Sequence, residues 1–364
     1  MIYVFNSAAI ILAGILLSES RYSDRNKKAA FLVITTLVMS LIIGLRFEVG
    51  ADYSSYEQLY HDVGEGISTF STGRLEIGYR IFTWILWQFG IPYWGLNLIM
   101  ASLTNIFIAL SIYRMCESFR ETVIAAYSYV CFFFFYFSMN QTRQGLAMAV
   151  CLFAVTFLVK GKRLIYLLIV ALMLSFHLVT AVMFLPLVFL VKIRVNHKTL
   201  IAYAGIAVLV VLGSGVLRNV LARTRYGLYF EEGFDQYFKA GSTSVGLTTT
   251  QLNLIVRLIL LVIVLVLARK VTDGLDKNVL YHMVILCTIV QTAAVQIVQL
   301  SRTTTPLFLA YVILLPKCLE GLEFENKKIM VLAAIAMETL YQAVYFYFMW
   351  RSVLVNGYSC VLFQ

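Results

Sequence analysis

Four short polar patches interrupt an otherwise apolar chain: ADYSSYEQLY, LEIGYR, NQTRQGLA and LSFHLVTA. They hold Asp52, Glu76, Arg143 and His177. An imidazole titrating near pH 6.5 suits general-base work at neutral pH. Asp52 has two readings: N-cap of a short helix, or a carboxylate beside an aromatic platform. Tyr53, Tyr56 and Tyr60 follow it at helical spacing on one face, a surface on which sugar rings could stack. Glu76 opens a helical pattern, where a carboxylate is electrostatically comfortable without any catalytic duty. Arg143 stands where an apolar run begins, so it either caps a helix or presents its fork. A guanidinium binds phosphate or carboxylate through two parallel hydrogen bonds, which lysine cannot do.

The elements that must hold these groups are membrane helices. Of 364 residues, 61% are hydrophobic and 13% charged, against about 45–50% and about 25% in soluble domains. Apolar runs lie near 2–18, 29–45, 95–112, 122–139, 145–159, 163–176, 178–191, 199–216, 251–268, 278–297, 304–316 and 328–349. They give an all-α polytopic membrane protein of about 10–13 spans, each crossing roughly 30 Å of hydrocarbon. The stretch 163–191 also reads as one long broken helix. The basic residues of the N-terminal region follow the first apolar run, so that run reads as a retained span and not a signal peptide. The whole chain, 1–364, reads as a single membrane domain.

A net charge of +10 would suit nucleic acid, but the basic residues cluster between apolar runs as cytoplasmic linkers do. Arg21/Arg25/Lys27/Lys28, Lys160/Lys162/Arg163, Lys192/Arg194/Lys198, Arg269/Lys270/Lys277 and Lys317/Lys327/Lys328 fall on one side if the N-terminus is outside. Arg114 and Arg120 join them only if 77–91, with Trp84, Trp87 and Arg80, lies in the interface instead of crossing. The opposite face then takes Arg46, Arg143, Arg223 and Arg302, and Lys239 as its lone lysine. Outward arginines beside a bilayer suit a lipid-linked phosphate or pyrophosphate; snorkelling and pairing with nearby carboxylates is the structural alternative. Two external regions emerge: 46–94, a loop with an interfacial helix, and 218–250, a polar and aromatic loop.

Other chemistries lack support. The six cysteines show no close pairing, so neither a disulfide framework nor a zinc site is indicated. There is no P-loop, GxGxxG, HExxH or serine elbow. Glu338 and Arg257 fall inside spans, where ionisable groups are functional by default unless they pair with each other.

GLRFEVGADYSSYEQLY, LEIGYR, RQGLAMA and FHLVTA, in that order and followed by a polar loop, resemble the Wzy-type exopolysaccharide and O-antigen polymerases of the EpsG family. The likeness covers about residues 40–185; beyond that it rests on hydropathy and Arg302. It implies a bacterial inner-membrane glycosyltransferase, with its site facing outside. Such an enzyme joins undecaprenyl-pyrophosphate-linked oligosaccharides, as donor and acceptor, into surface, capsular or exopolysaccharide. It also implies dependence on the bilayer, a flippase and a chain-length regulator as partners, no nucleic acid and no cofactor. Glu48 and Asp52 stand four apart without a DxD cluster, so no metal is expected. On this resemblance His177, then Asp52, then Glu76 are the candidate bases. Arg46, Arg143, Arg223 and Arg302 would clamp pyrophosphate, with Tyr53 and Tyr56 against sugar. A flippase for the same lipid, or an O-antigen ligase or acyltransferase, is the alternative.

Overall fold

A computed structural model of the chain describes residues 2–50, 52–67, 75–133, 139–223, 249–268, 274–297, 300–322, 324–349 and 358–363. Most of the 218–250 loop, residues 224–248, lies outside the described residues, as do Lys239, Arg269 and Lys270. The described residues are helical, and their only β pairing is an isolated bridge between Arg46 and Cys360. The chain divides into two compact units, Met1–Leu185 with Lys327–Gln364, and Pro186–Asn326.

The first unit contains α1 (Ile2–Ser18), α2 (Asp24–Gly44), α3 (Tyr53–Gly64), α4 (Ile77–Gln88), α5 (Tyr93–Met115), α6 (Phe119–Tyr129), α7 (Thr142–Val159), α8 (Arg163–Leu174) and α9 (Leu178–Val182). The long helices α2, α5 and α7 pack side by side, with α5 between the other two. Gly44 permits the closest approach, because a Cβ there would strike the Leu98 backbone on α5. At one end of this layer Lys28 Nζ donates to the carbonyls of Tyr113, Cys116 and Glu117. Arg114 donates to Thr156 Oγ1 at 3.2 Å and lies over the Phe153 ring at 4.4 Å. Lys28 and Arg114 thus share an end of the bundle. The polar patches gather where α2 ends and α5 and α7 begin.

That arrangement follows from α4. Its twelve residues rise about 18 Å, too short for a hydrocarbon core of roughly 30 Å. Tyr79 and Thr83 face inward, while Ile77, Ile81, Trp84 and Ile85 are exposed. This is the amphipathic pattern of a helix lying in the interface.

The second unit contains α10 (Leu187–Leu190), α11 (His197–Leu212), α12 (Ser214–Ala222), α13 (Thr249–Ala268), α14 (Leu275–Gln296), α15 (Ser301–Phe308) and α16 (Tyr311–Glu320). Asn196 and Thr199 form a reciprocal capping box that starts α11. His282, fully buried on α14, accepts from or donates to Tyr203 Oη at 2.6 Å and meets the Ile193 carbonyl at 2.6 Å. Lys317 and Asp276 pair at 3.0 Å. The last long helix, α17 (Phe324–Met349), returns to the first unit, where Glu338 Oε1 accepts from Ser128 Oγ at 2.5 Å.

Among the described residues, five helices are long and apolar enough to cross a membrane: Asp24–Gly44, Tyr93–Met115, Thr142–Val159, Thr250–Leu267 and Asp276–Gln296. The bent pair α11–α12, turning by 62°, adds a sixth if counted as one span. Of the other runs, 328–349 lies within the 26-residue helix Phe324–Met349, and several fold as shorter pieces. Residues 163–191 become three helices, and 304–316 divides between α15 and α16, with Pro306 and Pro316 inside them. Hydropathy counts apolar length, but backbone breaks decide what one helix can cross. Exposed Val33 and Leu37 on α2, and Val262 and Val266 on α13, face outward where lipid replaces water.

Lys28→Met would leave buried carbonyls without their donor. We expect it to lower stability by about 1–3 kcal/mol, read as a drop in the thermal midpoint of the detergent-solubilised protein; an unchanged midpoint would remove Lys28 from the fold's supports.

Candidate active site

The site begins at the turn after α2. Arg46 is 1% exposed. Its Nη1 donates to Ile43 O at 2.8 Å, Nε to Val49 O at 3.2 Å and Nη2 to Asn97 Oδ1 at 3.4 Å. A cation at the carbonyl end of a helix meets the negative pole of its dipole, which favours this fork without any ligand. Chain-terminal residues brace the same turn: Phe47 N donates to Ser359 O, and Val361 N to Leu45 O. Asp52 N in turn donates to Asn140 Oδ1 at 2.9 Å, joining the turn to the approach of α7.

Asp52 stands at the N-cap position of α3, but its side chain makes no capping hydrogen bond. The capping reading of Asp52 is therefore corrected: the helix starts with the Asp52 backbone at φ −98°, ψ 4°, away from the extended geometry that aims a cap side chain at the first turn. The three tyrosines of α3 also part company. Tyr53 and Tyr60 are buried against Tyr93 and Trp87 in edge-to-face contacts, and Tyr60 Oη donates to Ile91 O at 2.7 Å. Burial, helped by the Glu57 charge and opposed by Arg46, raises the Tyr53 phenol above its usual range. Tyr56 alone reaches Arg143.

Glu76 connects three segments. Its Oε2 pairs with Arg143 Nη1 at 2.8 Å, and its Oε1 accepts from Leu178 N at 3.2 Å. Glu76 precedes α4 yet makes no capping bond to it; its carboxylate instead serves the start of α9. Gly78 and Tyr79 N both donate to Ser175 O. A Cβ on Gly78 would meet that carbonyl at 2.9 Å, so only glycine lets α4 dock here. Arg143, the second residue of α7, also donates through Nε to Tyr56 Oη at 3.4 Å. Its guanidinium lies 5.7 Å from the Tyr56 ring centre and 5.2 Å from that of Tyr79. Burial holds the Tyr79 hydroxyl well above the usual phenol range, so it stays a neutral donor. The pair is not sealed off, with side chains 18% and 12% exposed. Arg143 Nη2 donates to no described residue.

His177 caps α9, its Nδ1 accepting from Thr180 N at 3.3 Å. A neutral ring accepting at Nδ1 carries its proton on Nε2, so in this geometry His177 offers a donor there. General-base work from Nε2 would require Thr180 to be released first.

Among the residues singled out from sequence, the fold therefore joins Tyr56, Glu76, Arg143 and His177 through Leu178, with Asp52 adjacent through Asn140. Arg46 and Tyr53 lie in the packing beneath. Arg223 and Arg302 belong to the second unit, where both are exposed. Tyr79, Asn97, Asn140 and Ser175 complete the arrangement and were not singled out. Tyr79, Asn140 and Ser175 stand inside quoted patches and could have been found there; Asn97 carries no signal in the sequence.

A model of the EpsG family matches residues 29–362. No curated protein and no solved structure matches the chain.

Gly78→Ala should push α4 off Ser175 and pull Glu76 from Leu178, lowering stability by about 1–3 kcal/mol. Thermal unfolding checks this; wild-type stability would mean the α4–Ser175 contact is not tight.

Proposed function

From a chain that belongs to the EpsG family, and so to membrane proteins with a polysaccharide-polymerase-like role, we propose a specific activity. The protein joins oligosaccharide repeat units carried on undecaprenyl pyrophosphate at the outer leaflet of the bacterial inner membrane. The observation that carries this reading is the Tyr56–Glu76–Arg143 constellation, at the end of the first unit away from Lys28 and Arg114. If lysine marks the cytoplasmic side, that end faces outward.

In this mechanism a hydroxyl of one unit attacks the anomeric carbon of the other chain, and the lipid pyrophosphate leaves. Negative charge develops on the leaving oxygen. Arg143 meets it with Nη2, in an orientation already fixed by Glu76 and the two tyrosine rings, so little reorganisation accompanies the step. His177 donates from Nε2 to the same group. Asp52, whose carboxylate does not cap α3, takes the proton of the attacking hydroxyl. Tyr56 offers a ring face to sugar. Arg46 acts indirectly, by holding the turn that carries Asp52. Flippase and chain-length regulator remain the expected partners.

Deleting the gene tests the class: a polymerase leaves single repeat units on lipid or at the surface. Lipid-linked units facing the cytoplasm would indicate a transporter, and long chains still on lipid a ligase; either would overturn the proposal. Complementation tests the site. Arg143→Lys and Asp52→Asn should each cut polymer by about 10²-fold at normal protein levels. Full-length polymer from either variant would remove that residue from the mechanism.

A further inference from the structure

The second unit contains a cation that the mechanism above does not use. Arg257 lies eight residues into α13, about 12 Å from the helix start, and is 7% exposed. Its guanidinium lies over the Phe308 ring at 5.1 Å, with Cys287 beside it. Its own carbonyl accepts from Tyr311 Oη at 3.5 Å. Nη1 is buried without a hydrogen-bond partner. Glu338, the acid that the sequence offered as its partner, is held by Ser128 in the first unit. Among the described residues no carboxylate pairs with Arg257; the ion pair of this unit is Lys317–Asp276.

An ionised group inside an apolar bundle is costly without a counter-charge. A buried lysine or carboxylate can escape by changing protonation, but a guanidinium cannot. One to two turns from Arg257, toward the end where α13 starts, the three helices share a neutral polar layer. Gln291 Nε2 donates to Thr250 O at 3.0 Å, and Thr304 Oγ1 donates to Gln291 Oε1 at 3.0 Å. Gln291 and Cys287 lie four apart on α14, as do Thr304 and Phe308 on α15. The layer therefore roofs the guanidinium and supplies an amide and a hydroxyl that can turn toward an anion. The lining is uncharged, so it neither competes for the cation nor repels the guest.

We propose that Arg257, roofed by Thr250, Gln291 and Thr304, is a binding site for a phosphate group, brought either by a lipid headgroup or by free phosphate. The guanidinium fork matches two phosphate oxygens, and the orphaned Nη1 is one of the donors it would use. This assignment stands whether or not the chain polymerises sugars, because it rests only on residues of the second unit.

The test uses full-length protein in dodecyl maltoside micelles, which carry no phosphate. Its thermal midpoint is followed with dioctanoyl phosphatidic acid, with dioctanoylglycerol as the phosphate-free control, and with inorganic phosphate. A rise with phosphatidic acid alone identifies a lipid headgroup, and a rise with inorganic phosphate as well identifies phosphate itself. No rise with either overturns the proposal, as does an equal rise with dioctanoylglycerol. Arg257→Gln should weaken the response at least about tenfold, while Arg120→Gln, at an exposed arginine outside the mechanism, retains it; the reverse pattern also overturns the proposal. Should Arg257→Gln fail to fold, Cys287→Asp carries the test. It gives Arg257 an internal counter-ion, so the variant should fold and lose the phosphate response. A full response in Cys287→Asp contradicts the site.

Discussion

One carboxylate holds the polar end of the first unit together. Glu76 faces the Arg143 guanidinium with one oxygen and the Leu178 amide with the other, so α4, α7 and α9 meet at a single side chain. The alternatives are poor. Arg143 without its partner would be a mostly buried cation, and removing one member of such a pair costs about 3–5 kcal/mol. Leu178 N, at the start of a five-residue helix, would lose its acceptor. A short helix can therefore be fixed against the bundle even though much of its apolar face looks outward.

The same residue type does different work in four settings. Arg46 is spent on carbonyls at the end of α2 and holds a turn. Arg114 snorkels across Phe153 and Phe157 to reach Thr156. Arg143 is paired, stacked and still reachable. Arg257 is buried with a donor unused. Sequence position alone would rank Arg46 and Arg143 together, since both follow or precede apolar runs. Burial and partners separate them: a fork already distributed over backbone oxygens organises structure, whereas a fork with one edge held and another open can organise a ligand.

Much of the architecture is legible in the sequence because the bilayer enforces it. The all-helical class follows from composition, and 77–88 folds as a helix of twelve residues, too short to cross about 30 Å of hydrocarbon. Lys28 and Arg114 share an end of the bundle, as they do in the scheme that keeps 77–91 from crossing. What the sequence conceals is where apolar runs break: 163–191 and 304–316 are continuous in hydropathy but not in backbone. The site was half legible. Its polar patches announce Glu76, Arg143 and His177, but no periodicity says that Glu76 would cap a different helix from its own. Nor does it say that Tyr53 and Tyr60 would turn inward while Tyr56 met Arg143. Those outcomes depend on Ser175, Asn140 and Asn97, whose roles exist only once the helices are packed.

The central claim, that Glu76 and Arg143 act as one unit, is tested most directly by a double-mutant cycle. Unfolding free energies of wild type, Glu76→Gln, Arg143→Gln and the double variant would be compared in detergent. The account predicts that the double variant loses much less than the sum of the singles, with a coupling of about 1.5–3 kcal/mol. Losses that add to within about 0.5 kcal/mol would contradict it.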